Sequence, residues 1–279
     1  MTVKLFADNK EVPVNMLEFS DGAITFKVDE LPKNPRYISI HVCPTTPVYR
    51  IREEIDLLDD AVSRQSDWNH ESRIVLNLPY LAYSRADRIF EKGNGSPLYE
   101  FLCWLDNKNF DEVFICDIHN PKAMLEHPDL RYTETSQLDC FKASLPSDFN
   151  TNYDFVLAPD KGSVEKAKTI ACYLEVDVYN CGKERDVSTG KIIRSTLPEG
   201  VDFTDKTVLI PDDLCDGNYT FYSLSKLLKE VGAKQVDLYV THMIGSKGLD
   251  NLKGLIDNIY CHHVVGKYLT KEEVWRYND

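Results

Sequence analysis

The chain alternates short apolar runs of strand length with longer runs of helical spacing, and this alternation restricts it to folds built from βαβ units. Tyr37 to Val42, Ile74 to Leu78 and Val113 to Cys116 read as strands, while Ile51 to Val62 and Leu98 to Leu105 repeat apolar residues at helical spacing. The rhythm resumes with Phe155 to Ala158, Val164 to Leu174, Val176 to Tyr179, Val208 to Ile210, Phe221 to Val231 and Val236 to Val240. A helix between successive strands carries the chain back over the sheet, so the strands run parallel and are covered on both faces. The expectation is an α/β chain of two tandem units, residues 1–147 and 148–279, each with a mostly parallel sheet flanked by helices. Their junction is expected within Pro128 to Asn152, which reads as polar and irregular.

Open parallel sheets bind ligands at the carboxyl ends of their strands, so the polar residues that follow each apolar run are the candidate site residues. After Val208 to Ile210 come Asp212 and Asp213, then a loop of Asp216, Gly217, Asn218, Tyr219 and Thr220 before a helix carrying Phe221, Leu224, Leu227, Leu228 and Val231. A helix start attracts phosphate. Carboxylates at the strand end accept ribose hydroxyls or hold a metal through water. The competing reading, an acidic strand end that caps the next helix, suits an isolated Asp-Asp pair equally well.

The other strand ends offer similar choices. Asp160, Lys161, Gly162 and Ser163 form either a second anion loop or an ordinary turn with Ser163 as N-cap. Asp117 and His119 follow Val113 to Cys116 on one side of an extended chain, suited to sharing a magnesium-phosphate, although a lone histidine is more often structural. Arg85 and Arg88 flank Asp87 and either grip a triphosphate or make a surface ion pair. Lys183 and Arg185 lie in a polar segment bounded by Gly182 and Gly190, read as a closing cationic loop or a solvated one. His262 and His263, after a strand-like Ile256 to Tyr260, are read as structural.

Composition narrows the function classes. A net charge of −13 without a Lys/Arg cluster argues against binding a nucleic-acid backbone. Eight cysteines at irregular spacing, with no C-x-x-C pair, suit reduced thiols better than a disulfide framework or a zinc site. No apolar run approaches membrane-spanning length, and the first residues lack a charged region followed by an apolar one. The expectation is a cytoplasmic protein that engages neither nucleic acid nor membrane.

Taken in order, these segments resemble phosphoribosyl pyrophosphate synthetase, the ribose-phosphate diphosphokinases, over nearly the whole chain. Phe19-Ser20-Asp21-Gly22 is similar to the family's F-S-D-G-E adenine loop, and Pro79 to Arg88 to its P-Y-x-x-Y-x-R-Q-D-R segment. Asp117-Ile118-His119 matches D-L-H, Asp160 to Ser163 resembles the pyrophosphate loop, and Lys183-Glu184-Arg185 fits the K-x-R of the catalytic loop. Asp212 to Thr220 resembles the ribose-phosphate loop D-D-x-x-D-T-x-G-T, and Thr241-His242 a late T-H strand end.

The resemblance implies two phosphoribosyltransferase-like domains and transfer of the β,γ-diphosphoryl group of ATP to the anomeric hydroxyl of a ribose phosphate, releasing AMP, with Mg2+ required. It implies ATP contacts from Phe19, Asp21, Arg85, Asp87 and Arg88, and metal-bound phosphates positioned by His119 and Asp160. Lys183 and Arg185 would close on the β-phosphorus, Asp212 and Asp213 would orient the ribose, and 216–220 would receive its 5′-phosphate. It also implies a homo-oligomer, dimer or hexamer. The chain departs from the pattern at Ala23 and Ala86, which replace Glu and Gln near the adenine, and at Gly217-Asn218-Tyr219, which puts a bulky ring where a glycine lets phosphate approach. A 5′-extended acceptor such as ADP-ribose, giving its 1-pyrophosphate, is therefore carried as an alternative. A noncatalytic regulatory subunit and a phosphoribosyltransferase are the remaining readings, the latter leaving D-x-H and K-x-R without a role.

Overall fold

A computed structural model describes residues 3–65, 72–89, 91–108, 110–146, 149, 151–185 and 192–275. The chain divides into two compact units, Met1–Thr135 and Ser136–Asp279. The first holds β1 (Val3–Ala7), β2 (Lys10–Val12), β3 (Val14–Glu18), β4 (Ile24–Val28), β5 (Tyr37–Val42), α1 (Val48–Ser63), β6 (Arg73–Asn77), α2 (Pro97–Asn107), β7 (Glu112–Cys116) and β8 (Tyr132–Thr135). The second holds α3 (Gln137–Ser144), β9 (Phe155–Ala158), α4 (Val164–Leu174), β10 (Asp177–Asn180), β11 (Gly182–Arg185), β12 (Ile192–Thr196), β13 (Thr207–Cys215), α5 (Tyr219–Glu230), β14 (Gln235–Met243), β15 (Asn258–Val264) and α6 (Lys271–Trp275).

In the first unit the sheet order is β2-β1-β5-β6-β7-β8, with β5 to β8 parallel and β1 antiparallel to both neighbours. The apolar stripe of α1, Ile51, Ile55, Leu58 and Val62, and that of α2, Leu98, Phe101, Leu102 and Leu105, share a core with Leu5, Ile38, Ile40, Leu76, Val113 and Ile115. Each such side chain contributes about 1.5–3 kcal/mol on burial, which is why these helices form at their modest lengths.

The second unit is an all-parallel sheet, β10-β9-β13-β14-β15. Its central strands are buried on both faces: Val208 and Ile210 join Phe221, Leu224 and Leu228 of α5, while Leu209 between them joins Ala167, Ile170 and Ala171 of α4. That two-sided burial explains why the sequence there is a continuous apolar run rather than an alternating one. Among the described residues no helix is long and apolar enough to cross a membrane, and all eight cysteines are free.

Several expectations change. Pro128 to Asn152 is not irregular throughout, because it contains β8 and α3. β8 is an edge strand of mostly polar residues, so it lacks an apolar signature, and α3 is short; its start was readable from Ser136, whose hydroxyl accepts from Asp139 N at 3.2 Å. Phe141 of α3 packs edge-on to Tyr239 of β14 at 4.9 Å, so α3 goes with the second unit and the chain divides at 135/136 rather than 147/148. Lys183 and Arg185 lie on a strand, β11, antiparallel to β12, not in a loop, while 186–191 and the side chains of both cations lie outside the described residues. His262 and His263 sit within β15, with Ser144 Oγ 3.1 Å from His262 Nδ1.

Candidate active site

In the second unit the chain passes from β9 to β10 on one side, then crosses to β13 on the other, so the switch point of the sheet falls between β9 and β13. Loops leaving the carboxyl ends of two such strands diverge and open a crevice, the usual ligand position in an open parallel sheet. The loops there are Asp160–Ser163 after β9 and 216–218 after β13.

β13 does not stop at Ile210. It continues to Cys215 against an equally long β14, with Asp212 opposite Val240 and Leu214 opposite His242, so the two acids lie within the strand rather than beyond it. Pairing with β14 outweighs the acidic composition, which by itself signals a strand end. Asp213 is only 8 % exposed, and its N–H donates to Asp212 Oδ1 at 2.9 Å. Burial, then the Asp213 and Asp160 carboxylates, hold Asp212 well above the usual carboxylate range, opposed by the backbone bond from Asp213. Three neighbouring carboxylates with hard oxygen donors fit a magnesium ion, whose charge relieves their mutual repulsion.

α5 starts at Tyr219, two residues earlier than its first apolar residue, so only 216–218 form the loop. Asn218 takes a left-handed backbone, φ 64°, which Asn tolerates better than other side chains. It is 3 % exposed, accepts the Cys215 thiol at 2.8 Å, and donates its amide to Gly248 O and, at 3.4 Å, to Asn251 Oδ1. Its side chain makes no capping bond to α5, so it leaves the first-turn amides to an external anion. Tyr219 is 63 % exposed, and a Cβ on Gly217 would meet nothing within 4 Å, so the loop faces open space.

The Asp160 loop is closed on itself. Asp160 Oδ1 accepts from Gly162 N at 2.9 Å and Ser163 N at 3.3 Å, while Ser163 Oγ donates to Asp160 O at 3.0 Å. Ser163 occupies the N-cap position of α4 but makes no side-chain cap, and the Asp160 carboxylate accepts from the two amides that precede the helix. A Cβ on Gly162 would sit 3.2 Å from Asp160 Oδ1, so a larger residue would press on the carboxylate that closes the loop. Lys161 is exposed.

In the first unit the chain bends at Asp117, φ 44°, instead of continuing extended. Asp117 is buried and His119 exposed, so the two do not share one side of a strand. Asp87 makes an ion pair with Arg88 at 3.7 Å and accepts from Asn120 Nδ2 at 2.8 Å. Arg85 is exposed nearby in sequence. Asn120 is a residue that sequence reasoning missed; its signal is the Asn-Pro step after His119, and its Oδ1 caps the 3₁₀ turn Pro121–Glu126. Asp87 and Asn120 line a cavity of about 130 Å³ with Leu98, Tyr99, Lys122 and His127. Phe19 and Asp21 lie on the tip of the β3–β4 hairpin, a two-stranded sheet of its own. Asp21 Oδ1 accepts from Ala23 N at 3.0 Å, Gly22 supplies φ 89°, and Phe19 projects half exposed.

Residues 141–266 match the family model for the phosphoribosyl transferase domain. The chain is 32 % identical over 249 residues to a ribose-phosphate pyrophosphokinase of Pyrococcus abyssi, covering 88 % of this chain and 77 % of that one. It is 28 % identical over 277 residues to the ribose-phosphate pyrophosphokinase of Pyrococcus furiosus, covering 96 % and 87 %. The crystal structure of phosphoribosylpyrophosphate synthetase from Mycobacterium smegmatis superimposes with a TM-score of 0.71 at 21 % identity, over 94 % of this chain and 83 % of that one, and shares its fold. The acid-bearing strand end of β13 lies inside the matched domain and the likeness runs on through the first unit: the chain belongs to the ribose-phosphate pyrophosphokinase family of diphosphokinase enzymes.

Proposed function

We propose that the chain transfers the β,γ-diphosphoryl group of ATP to the anomeric 1-hydroxyl of a ribose 5-phosphate-type acceptor, releasing AMP. The observation that carries this reading is the grouping of Asp212, Asp213 and Asp160 at the switch point of the sheet, beside the uncapped start of α5. The anomeric oxygen forms a bond to the β-phosphorus, the bond from that phosphorus to the α,β-bridging oxygen breaks, and the hydroxyl proton leaves to solvent. Asp212 and Asp213 accept the ribose hydroxyls, and the α5 amides with 216–220 receive the 5′-phosphate. Lys183 and Arg185 neutralise charge developing on the transferred group, His119 and Asp160 position the ATP phosphates, and Lys161, Gly162 and Ser163 line the pyrophosphate side. Arg85, Asp87 and Arg88, with Phe19 and Asp21, hold the nucleotide. Magnesium bound with ATP offsets phosphate charge; Asp160, whose carboxylate neighbours Asp212 and Asp213, would hold it, with His119 as the resemblance implies.

Catalysis then rests on alignment and electrostatics, with no covalent protein intermediate. We assign the enzyme to the cytoplasm as a homo-oligomer. A second reading, the same transfer to a 5′-extended acceptor such as ADP-ribose, is favoured by Tyr219, whose exposed ring stands at the first position of α5. The test is incubation with ATP, magnesium and either ribose 5-phosphate or ADP-ribose, with products identified by mass. AMP with a diphosphorylated sugar is expected. Absence of AMP with both acceptors would reject the reaction.

A further inference from the structure

The acceptor loop is short of positive charge. From Pro211 to Thr220 it carries Asp212, Asp213 and Asp216 and no Lys or Arg. A phosphate at the start of α5 therefore meets nearby carboxylates, and a helix N-terminus offers only about half a unit charge in compensation. A cation on a neighbouring element would add to that compensation.

The loop after β14 is fastened to this one. Ile244 N and Gly245 N both donate to Cys215 O, at 2.8 and 3.1 Å, and Gly248 N closes a turn on Gly245 O at 2.9 Å. Asn218 completes the attachment by donating to Gly248 O and Asn251 Oδ1. Leu249 and Leu252 anchor the far side in the same core as Phe221 of α5. Between the two left-handed glycines, Gly245 at φ 61° and Gly248 at φ 69°, stands Lys247, exposed and without an ion pair among the described residues. Lys247 thus stands one residue from a carbonyl bonded to the residue that precedes α5, in a turn tied by its backbone to the end of β13.

We propose that Lys247 is the cation that binds the acceptor's phosphate, and that Asn218 is the positioning residue that holds its loop there. The assignment rests on the acceptor reading of 216–220 given above. Sheet order divides the labour: β13 lies between β9 and β14, so Lys161 flanks the acids on the pyrophosphate side and Lys247 on the acceptor side. Asn at 218 serves both requirements at once, a left-handed backbone and a side-chain amide that reaches across to the next loop.

The test compares wild type with Lys247→Ala, Lys247→Arg and Asn218→Gly, reading KM for ATP and for the acceptor separately, alongside calorimetric titration with ribose 5-phosphate and with ADP-ribose. Lys247→Ala is expected to raise the acceptor KM and dissociation constant about tenfold, leaving the ATP KM within about twofold, as for loss of one charge-assisted contact. Lys247→Arg should restore most of the affinity. Asn218→Gly keeps the left-handed backbone and removes the amide, so it should reproduce the acceptor defect without loss of ATP affinity. An unchanged acceptor affinity in Lys247→Ala, or an equal rise in both KM values, would overturn the assignment. A protein that binds ribose 5-phosphate through Lys247 but forms no AMP would sink the diphosphokinase reaction and leave this binding role standing.

Discussion

Asn120 Nδ2 donates to Asp87 Oδ2 at 2.8 Å, joining two strand-end segments that are 33 residues apart in the chain. The same side chain accepts Lys122 N at 3.2 Å, so one amide both caps a turn and fixes a carboxylate. Its partner also faces Arg88, which makes the geometry of Asp87 the product of two contacts.

Asn120→Ala should therefore raise the KM for ATP, by about three- to tenfold, with a smaller fall in kcat, since one hydrogen bond to a charged group is worth about 1.5–3 kcal/mol and the ion pair remains. Asn120→Asp should be worse, because it sets a like charge against Asp87. Steady-state kinetics of both variants decides the matter, and an Asp variant as active as wild type would remove the hydrogen bond from the account.

Asp212 is held above the usual carboxylate range by burial and by Asp213. A carboxyl group whose folded pKa is raised contributes stability that is full below its unfolded value, about 3.9, and lost as pH rises through the folded value. Without magnesium, the contribution of Asp212 to thermal stability should fall as pH rises from about 4. Asp212→Asn should flatten that dependence, raise the melting temperature at pH 8, and abolish turnover. Thermal scans in EDTA at pH 5 and pH 8 measure it; identical slopes in variant and wild type would count against Asp212 as the source.

Lys183→Ala and Arg185→Ala should each lower kcat by about a hundredfold or more while leaving the KM for ATP near its original value, the pattern expected of groups acting mainly in the transition state. Single-turnover measurements with saturating ATP give the comparison. A large rise in KM at normal kcat would assign these cations to ground-state binding.

Tyr153 OH donates to Asp237 Oδ2 at 2.6 Å, and Gln235 and Asn258 donate to the same buried carboxylate at 2.8 and 3.0 Å. Tyr153→Phe strips one donor from a group that burial already pushes upward, and should cost about 1–3 kcal/mol. Urea unfolding of the variant, with activity measured at low denaturant, should show lost stability and intact turnover.

Local pattern was enough to read β5, β9 and α4 to the residue, because apolar periodicity and turn residues act within a few positions of one another. The same holds for the acids of β13 and the Asp160 loop, which announce themselves by standing directly after apolar runs. The continuation of β13 through its acids was not local, since it depends on an equally long β14 supplying hydrogen-bond partners. Nor was the allegiance of α3, decided by Phe141 against Tyr239, which stands 98 residues further along the chain.

The sequence by itself determined the α/β alternation and which residue types stand at the strand ends. Tertiary structure alone decided which of them meet: Asp160 with Asp212, Asn120 with Asp87, Asn218 with Gly248. The reason is physical. Strand order is settled by long-range pairing and two-sided burial, and only that order brings loops distant in the chain to one edge of a sheet.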